Sequence, residues 1–409
     1  MVIKSKIKHH LKITSTLWFK EKLLKFKLTR SVALRIFSQA YKTASKKRDT
    51  FESKFLFEEK DAKLLLTSNF NTAGQTIVIP DSSFDATKGE SFTILGQILV
   101  DVLKQFIDQD ITFTYTKDKN IFYITSENSK CAFSCGNSDE FVPFSFDMNE
   151  SPIIVSGQLI STALKHTYFC AHKEQNPINS VRITMKDTEF TAVALDNTRM
   201  SIYMEEIDDI NRNAVDFLLP VPSAEILANL LEGVYEVSIS ANNSHARFEW
   251  EDTVFSTQQI SKMNKKFPGT TDFYKNNLVA FGTFSRNELQ RSLKMASLFV
   301  SKSSVKLKIS EDGKEKGILI STYSKDRGAS KDLIMAQTVS GNSEATLSCA
   351  NLVKAIDSTS SAMLDLEFRR LNYDDDDITL VIVDNNYTHY IFPIIPDLSD
   401  EETDEETEE

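Results

Sequence analysis

Apolar positions along the chain fall into two kinds of stretch, and the same succession of stretches occurs three times. Three amphipathic segments begin near Thr29, Ser156 and Ser285, reading TRSVALRIFSQAYKTASKK, SGQLISTALKHTYFCAHKE and SRNELQRSLKMASLFVSKS. Apolar or small residues recur in them at helical spacing: Leu34, Phe37, Tyr41 and Ala44, then Leu159, Ala163, Thr167 and Cys170, then Leu289, Leu293, Ala296 and Phe299. Ser285 and Glu288 form an S-x-x-E capping box that marks the third start. Shorter helical segments begin near Thr93, Pro222 and Ser348: TILGQILVDVLKQFID, PSAEILANLLEG and SCANLVKAIDS. Starts of the first set are 127 and 129 residues apart, and those of the second 129 and 126. Two markers keeping nearly one interval indicate an internal repeat.

Each shorter helix is followed by alternating runs with Asn- or Asp-rich turns. Ile111, Phe113 and Tyr115 lead through KDKN into IFYIT; Tyr235, Val237 and Ile239 lead through ANNSH into RFEWED. In the third copy, MLDLEF and ITLVIVD flank NYDDDD, and NNYTHYIFPII follows. Period-two alternation joined by such turns predicts antiparallel hairpins with one buried face. The expected fold class is α+β: three tandem units, each with helices on one face of antiparallel sheets. The expected boundaries are a basic extension 1–23, domains 24–150, 151–272 and 273–396, and an acidic tail 397–409.

Charge changes this picture only when resolved by position. The net charge is −11, yet residues 1–50 hold fourteen Lys or Arg against Glu21 and Asp49, and the last thirteen residues hold nine acids and no base. The first-set helices lean basic. They offer Arg35, Lys42, Lys46 and Lys47, running into Arg48; Lys165, His166, His172 and Lys173; and Arg286, Arg291, Lys294 and Lys302. A basic face on one helix is ordinarily a solvated face. Its recurrence in three copies favours a surface for a nucleic-acid backbone, read without sequence specificity because no zinc finger, helix-turn-helix or aromatic RNA-binding strand accompanies it.

Other chemistries find little support. No stretch of about 18 apolar residues suits a membrane span. Four cysteines in 409 residues are no disulfide scaffold, and Cys131 and Cys135 lack a second ligand pair, so they read as strand residues and the compartment as a reducing cytoplasm. Phosphate-loop, nucleophile-elbow and H-E-x-x-H motifs are absent, and the six histidines are scattered. Asp374–Asp377 reads as a solvated turn, lacking calcium-loop spacing. The expectation is no catalytic residue, no metal and no cofactor; an enzyme assembled from distant residues stays as a remote alternative.

Four segments, in order, carry a family resemblance. TAVALDNTRMSIY (Thr191–Tyr203) is similar to the signature A-T-D-G-H-R-L-A, and INSVRITMKDTEF before it to a strand of the form L-N-G-x-x-F. KFPGTTDFY (Lys266–Tyr274) is similar to K/R-F-P-D-Y, and HYIFPI (His389–Ile394) to V-x-M-P-M. Over about residues 24–396 the chain thus resembles the bacterial sliding clamp, the beta subunit of DNA polymerase III. Asn197 and Thr198 stand where the family has Gly-His, and the first domain matches mainly by pattern.

The resemblance implies a processivity factor: a homodimeric, head-to-tail ring around double-stranded DNA, contacting its backbone. A cleft between domains two and three would receive the replicative polymerase, the clamp loader and other proteins bearing clamp-binding motifs. Carried over by motif, the cleft would comprise Ile178, Leu195, Asn197, Thr198, Arg199, Met200, Pro268, Phe273, Ile391, Phe392, Pro393 and Ile394. DNA contacts would come from Arg35, Lys42, Lys46, Lys47, Arg48, Lys165, His172, Lys173, Arg291 and Lys294. Phe106 and Ile107 would meet Leu298 and Phe299 across the dimer interface. The extension 1–23 is read as a disordered tail, with a DNA-contacting arm, a targeting peptide or an upstream start codon as alternatives, and the acidic tail as a charge that tunes access to the cleft. A clamp paralogue of a virus or mobile element, serving repair or host takeover, is the alternative function.

Overall fold

The computed structural model describes residues 23–394 except 45–52, 71, 81–83, 86–88, 147, 175–176, 209–213, 261–266, 269–276, 301–303, 313–315 and 371–376. Within them the repeat is explicit. Each copy runs strand, helix, four strands, helix, three strands, with one extra short strand, Thr338–Ser340, in the third. The leading helices are α1 (Arg30–Lys42), α3 (Gly157–Thr167) and α5 (Arg286–Phe299). The second helices are α2 (Gly96–Gln105), α4 (Val221–Leu230) and α6 (Cys349–Ser358). Within each copy the two helices pack on one another.

The helix starts follow from capping chemistry. Ser156 Oγ accepts the Leu159 amide, Ser285 Oγ the Glu288 amide and Ser348 Oγ the Asn351 amide, each satisfying a first-turn donor that has no intrahelical partner. Two expectations shift. Helix α2 starts three residues later than Thr93, because Ser91–Leu95 pairs with Lys54–Lys60 as a strand. The buried face of α1 is Ala33, Ile36, Phe37 and Ala40, with Leu34 and Tyr41 only partly buried. The expected stripe is therefore rotated by about one position: it includes Phe37 and Ala44 but misses Ala33, Ile36 and Ala40.

Compactness divides the chain differently from the repeat. One unit comprises residues 1–149 with 247–258, and the other 150–246 with 259–409. In the first, Leu23–Thr29, Asp110–Thr116, Ile121–Thr125 and Lys130–Ser134 form one sheet in that order. Ser91–Leu95, Lys54–Lys60, Lys63–Phe70 and Ala73–Val78 run in order through a second, which Thr253–Gln258 extends by pairing with Ala73–Val78. Aromatic rings fill the core between helices and sheets. Phe26 stacks on Phe113 at 4.7 Å, Phe57 on Phe92 at 5.0 Å and Phe92 on Tyr115 at 4.1 Å, while Phe37 meets Phe113 edge-on at 5.6 Å.

The second unit is organised by a nine-stranded antiparallel sheet. Its order is Val215–Pro220, Ser180–Lys186, Glu189–Leu195, Arg199–Glu206, Tyr387–Ile391, Ile378–Asp384, Met363–Arg370, Asn277–Ser285 and Thr338–Ser340. The first four strands come from the second copy and the rest from the third, so the copies are joined where Arg199–Glu206 pairs with Tyr387–Ile391. A four-stranded sheet, Gly328–Met335, Gly317–Ser324, Ser304–Ser310 and Ser343–Ser348, completes the third copy.

Phe57 lies at the centre of the ring cluster and is fully buried. Phe57→Ala is expected to cost about 3–5 kcal/mol, read as a lowered denaturant midpoint; a loss below about 1 kcal/mol would show that the cluster does not carry this core.

Candidate docking cleft and charged helix faces

At the join between copies, alternation sends side chains to two faces of contrasting character. Val193 pairs with Ile202 and Leu195 with Met200; Met200 pairs with Tyr390, and Tyr390 with Val381. These six residues share the face turned away from α3, and with Ile178 they form an apolar cluster, none more than 7% exposed. Phe267, Val383 and Phe392 pack against it while staying partly exposed. The cluster is thus shielded within the chain, and Phe267, Val383 and Phe392 form its partly exposed apolar margin.

The sequence-derived cleft is brought together in part. Ile178, Leu195, Met200 and Phe392 lie in the cluster. Asn197 and Thr198 are exposed on the turn beside it, Pro268 is exposed next to Phe267, and Pro393 and Ile394 follow Phe392 half-buried. Phe273 lies outside the described residues. Two assignments change. Ile391 faces the opposite side and sits in the core of the third copy, because its register partner is Arg199 rather than Met200. Arg199 also points inward, buried, its Nε donating to Asp196 Oδ2 at 3.0 Å and Nη2 to Phe169 O at 2.7 Å. Val193, Ile202, Val381, Val383, Tyr390 and Phe267 were missed. Counting by twos from Leu195 and Met200 reaches Val193 and Ile202, and Phe267 is the apolar neighbour of Pro268.

The inner face at the same join is polar. Tyr387 Oη is 2.8 Å from His389 Nδ1 and 2.9 Å from Ser358 Oγ, and Cys170 Sγ lies 3.6 Å from the same ring nitrogen. Ser201 Oγ donates to His166 O at 2.6 Å. Burial, reinforced by the Arg199 guanidinium, pushes His389 down to about 3, and burial also lowers His166. Burial raises the Cys170 thiol and the Tyr387 phenol, so none of these groups carries charge near neutrality. Asp384 is drawn down despite its burial, because Ser361 Oγ and the Ser360 and Ser361 amides donate to it.

The basic residues take surface positions with varied partners. Arg35, Lys42 and Lys173 are exposed. Lys165 pairs with Glu232 at 3.1 Å, Arg291 with Asp332 at 3.1 Å and Lys294 with Asp357 at 3.9 Å. Such exposed pairs hold weakly and exchange readily. His172 is half-buried: its amide donates to Ile178 O and Leu195 O, and its Nδ1 accepts the Glu174 amide, so it ties the segment after α3 to both residues. Lys46, Lys47 and Arg48 lie outside the described residues. Of the four residues read as an interface, Ile107 is 85% and Leu298 72% exposed, and Phe299 is half-buried. Phe106 is a correction: at 4% exposure it belongs to the ring-filled core, where the end of α2 turns it inward. Cys131 lies within a strand, Cys135 just beyond it, and the described residues contain no cluster of metal-ligating side chains.

A unit of paired helices on antiparallel sheets, used three times, defines the architecture of DNA clamps. No family model matches the chain. A curated relative does: the beta sliding clamp of Mycoplasmopsis pulmonis (strain UAB CTIP), 24% identical over 233 residues, or 54% of this chain and 61% of that protein. The chain thus spans about three fifths of the curated relative it matches. Among solved structures, the DNA polymerase III beta subunit of Thermotoga maritima superposes with a TM-score of 0.80 at 18% identity, covering 91% of this chain and 100% of that one. The Streptococcus pyogenes beta subunit gives 0.78 at 17% identity, over 90% and 99%. The Bacillus subtilis sliding clamp gives 0.77 at 15%, over 91% and 99%. The chain has the sliding-clamp fold.

The buried histidines set a pH dependence. An unfolded chain protonates His389 below its ordinary value of 6.5, while the fold refuses that proton down to about 3. Stability is therefore expected to fall as pH drops from 6.5 towards 4, by up to about 1.4 kcal/mol per unit from His389, with His166 acting in the same direction. Asp384 contributes only below its ordinary 3.8. Denaturant midpoints measured between pH 7 and 4 should flatten in His389→Gln; an equal slope in both proteins would refute the assignment.

Proposed function

We propose that this chain is one subunit of a DNA sliding clamp, a processivity factor that encircles duplex DNA without reading its sequence and tethers a replicative polymerase. The observation that carries the reading is the threefold repeat in the sliding-clamp fold over 91% of the chain. A fold alone does not name a function. The match to a beta sliding clamp and the apolar outer face at the join between copies supply the rest.

The cleft recognises short peptides of the polymerase, the clamp loader and other clamp-binding proteins. Their apolar side chains dock against the partly exposed Phe267, Val383 and Phe392, which rest on the buried cluster of Val193, Leu195, Met200, Ile202, Val381 and Tyr390. DNA is met through its phosphates by Arg35, Lys42, Lys165, Lys173, Arg291 and Lys294, some of which exchange an acidic partner for a phosphate. Such contacts confer affinity that falls with salt and leaves the duplex free to slide. The chain performs no catalysis in this reading and requires no cofactor. Among the described residues no helix is long and apolar enough to cross a membrane, and a cytoplasmic site of action accords with this role.

A ring also needs a second copy. Strands Lys130–Ser134 and Gly328–Met335 are each at the edge of a sheet, with Leu333 and Met335 exposed on the latter. An edge of this kind pairs readily with another chain. In head-to-tail closure Ile107 faces Leu298 and Phe299. Sedimentation equilibrium is expected to give twice the 46.3 kDa chain mass, and Leu298→Asp to return it to a single chain with its fold intact. A single-chain mass for the unaltered protein at tens of micromolar would contradict ring closure without a partner.

A further inference from the structure

The turn that ends strand Glu189–Leu195 is braced more heavily than a four-residue turn requires. Asp196 Oδ1 accepts three donors: the Thr198 amide at 2.7 Å, the Thr198 hydroxyl at 2.7 Å and the Arg199 amide at 3.0 Å. Arg199 closes the circuit on Asp196 Oδ2 and anchors it to Phe169 O just beyond α3. The turn is thereby fixed to the second copy before it meets anything else.

It then grips the third copy at two points. The Phe392 amide donates to Thr198 O at 2.9 Å, and Asn351 Nδ2 donates to Thr198 Oγ1 at 3.0 Å. Asn351 lies in the first turn of α6, its own amide held by Ser348 Oγ. The direction of the side-chain bond follows from the carboxylate. Asp196 only accepts, so the Thr198 hydroxyl spends its proton there and presents lone pairs, and Asn351 must offer its amino group. Its Oδ1 is left as an acceptor at the rim. Charge-assisted bonds on one side and a capped helix on the other hold this contact in one geometry.

We propose that Thr198 and Asn351 form a tie between the two halves of the docking cleft. As positioning residues they fix the spacing between the Asp196–Arg199 turn and α6, and with it the side chains that the cleft admits beside Phe392. The proposal rests on the docking reading above. Thr198 occupies the second of the two positions where the family signature has Gly-His, so the tie is a means by which this chain sets its own peptide preference.

A double-mutant cycle on the full chain tests it, with Thr198→Val, Asn351→Ala and the pair. The probe is a fluorescein-labelled hexapeptide bearing leucine and phenylalanine, read by anisotropy, alongside amide exchange at Phe392 and the thermal midpoint. Each single variant should weaken the probe roughly fivefold, the pair no more than either single, and Phe392 exchange should quicken while the midpoint holds. Additive losses, or unchanged Phe392 exchange in Asn351→Ala, would overturn the tie. If the unaltered chain fails to bind the probe, the docking reading falls instead, and the exchange measurement still decides whether the tie exists.

Discussion

Five residue pairs between strand Arg199–Glu206 and strand Tyr387–Ile391 determine the architecture of the second unit. Antiparallel pairing with a side-chain period of two leaves no partial solution: a slip by one residue would turn every side chain to the wrong face. At this register Met200 and Tyr390 lie on the outer face, Ser201 and His389 on the inner one. The pairing makes one sheet of two copies and assembles the outer apolar cluster in the same step.

The inner face explains why the register is single-valued. His389, Tyr387, Ser201, Cys170, His166 and Ser358 meet there through hydrogen bonds and ring contacts with little solvent. A polar network formed in one alignment and broken in others penalises the alternatives, even though His389 Nε2 and His166 Nδ1 find no partner within it. Neutrality is what makes it tolerable, since burial holds the histidines deprotonated and the thiol and phenol protonated. Arg199 is charged and is neutralised by Asp196 within a single turn, while the buried Asp384 carboxylate is held by the Ser360 and Ser361 donors.

Much of the fold was legible in the sequence, because amphipathic period and capping serines are local signals. Ser156, Ser285 and Ser348 mark helix starts to the residue. What the sequence did not reveal depends on partners far along the chain. Arg199, in a polar motif, reads as a rim residue, whereas strand alternation buries it. Lys165, Arg291 and Lys294 read as free cations, yet Glu232, Asp332 and Asp357 come to them through folding. Asn351 meets Thr198 across 153 positions and carries no local mark. Phe106 and Ile107, adjacent and both apolar, are separated only by which way the chain leaves α2.

In the proposed reading, threefold repetition lets a chain of net charge −11 meet a polyanion: basic helix positions recur once per copy, while acids lie elsewhere or pair with them. Retention on DNA tests that claim most directly. After loading onto a circular duplex in the presence of its clamp loader, the protein should survive a wash at high salt and be lost once the circle is cut, because topology rather than affinity holds it. Equal retention on circular and linear DNA, or equal loss from both, would contradict the account.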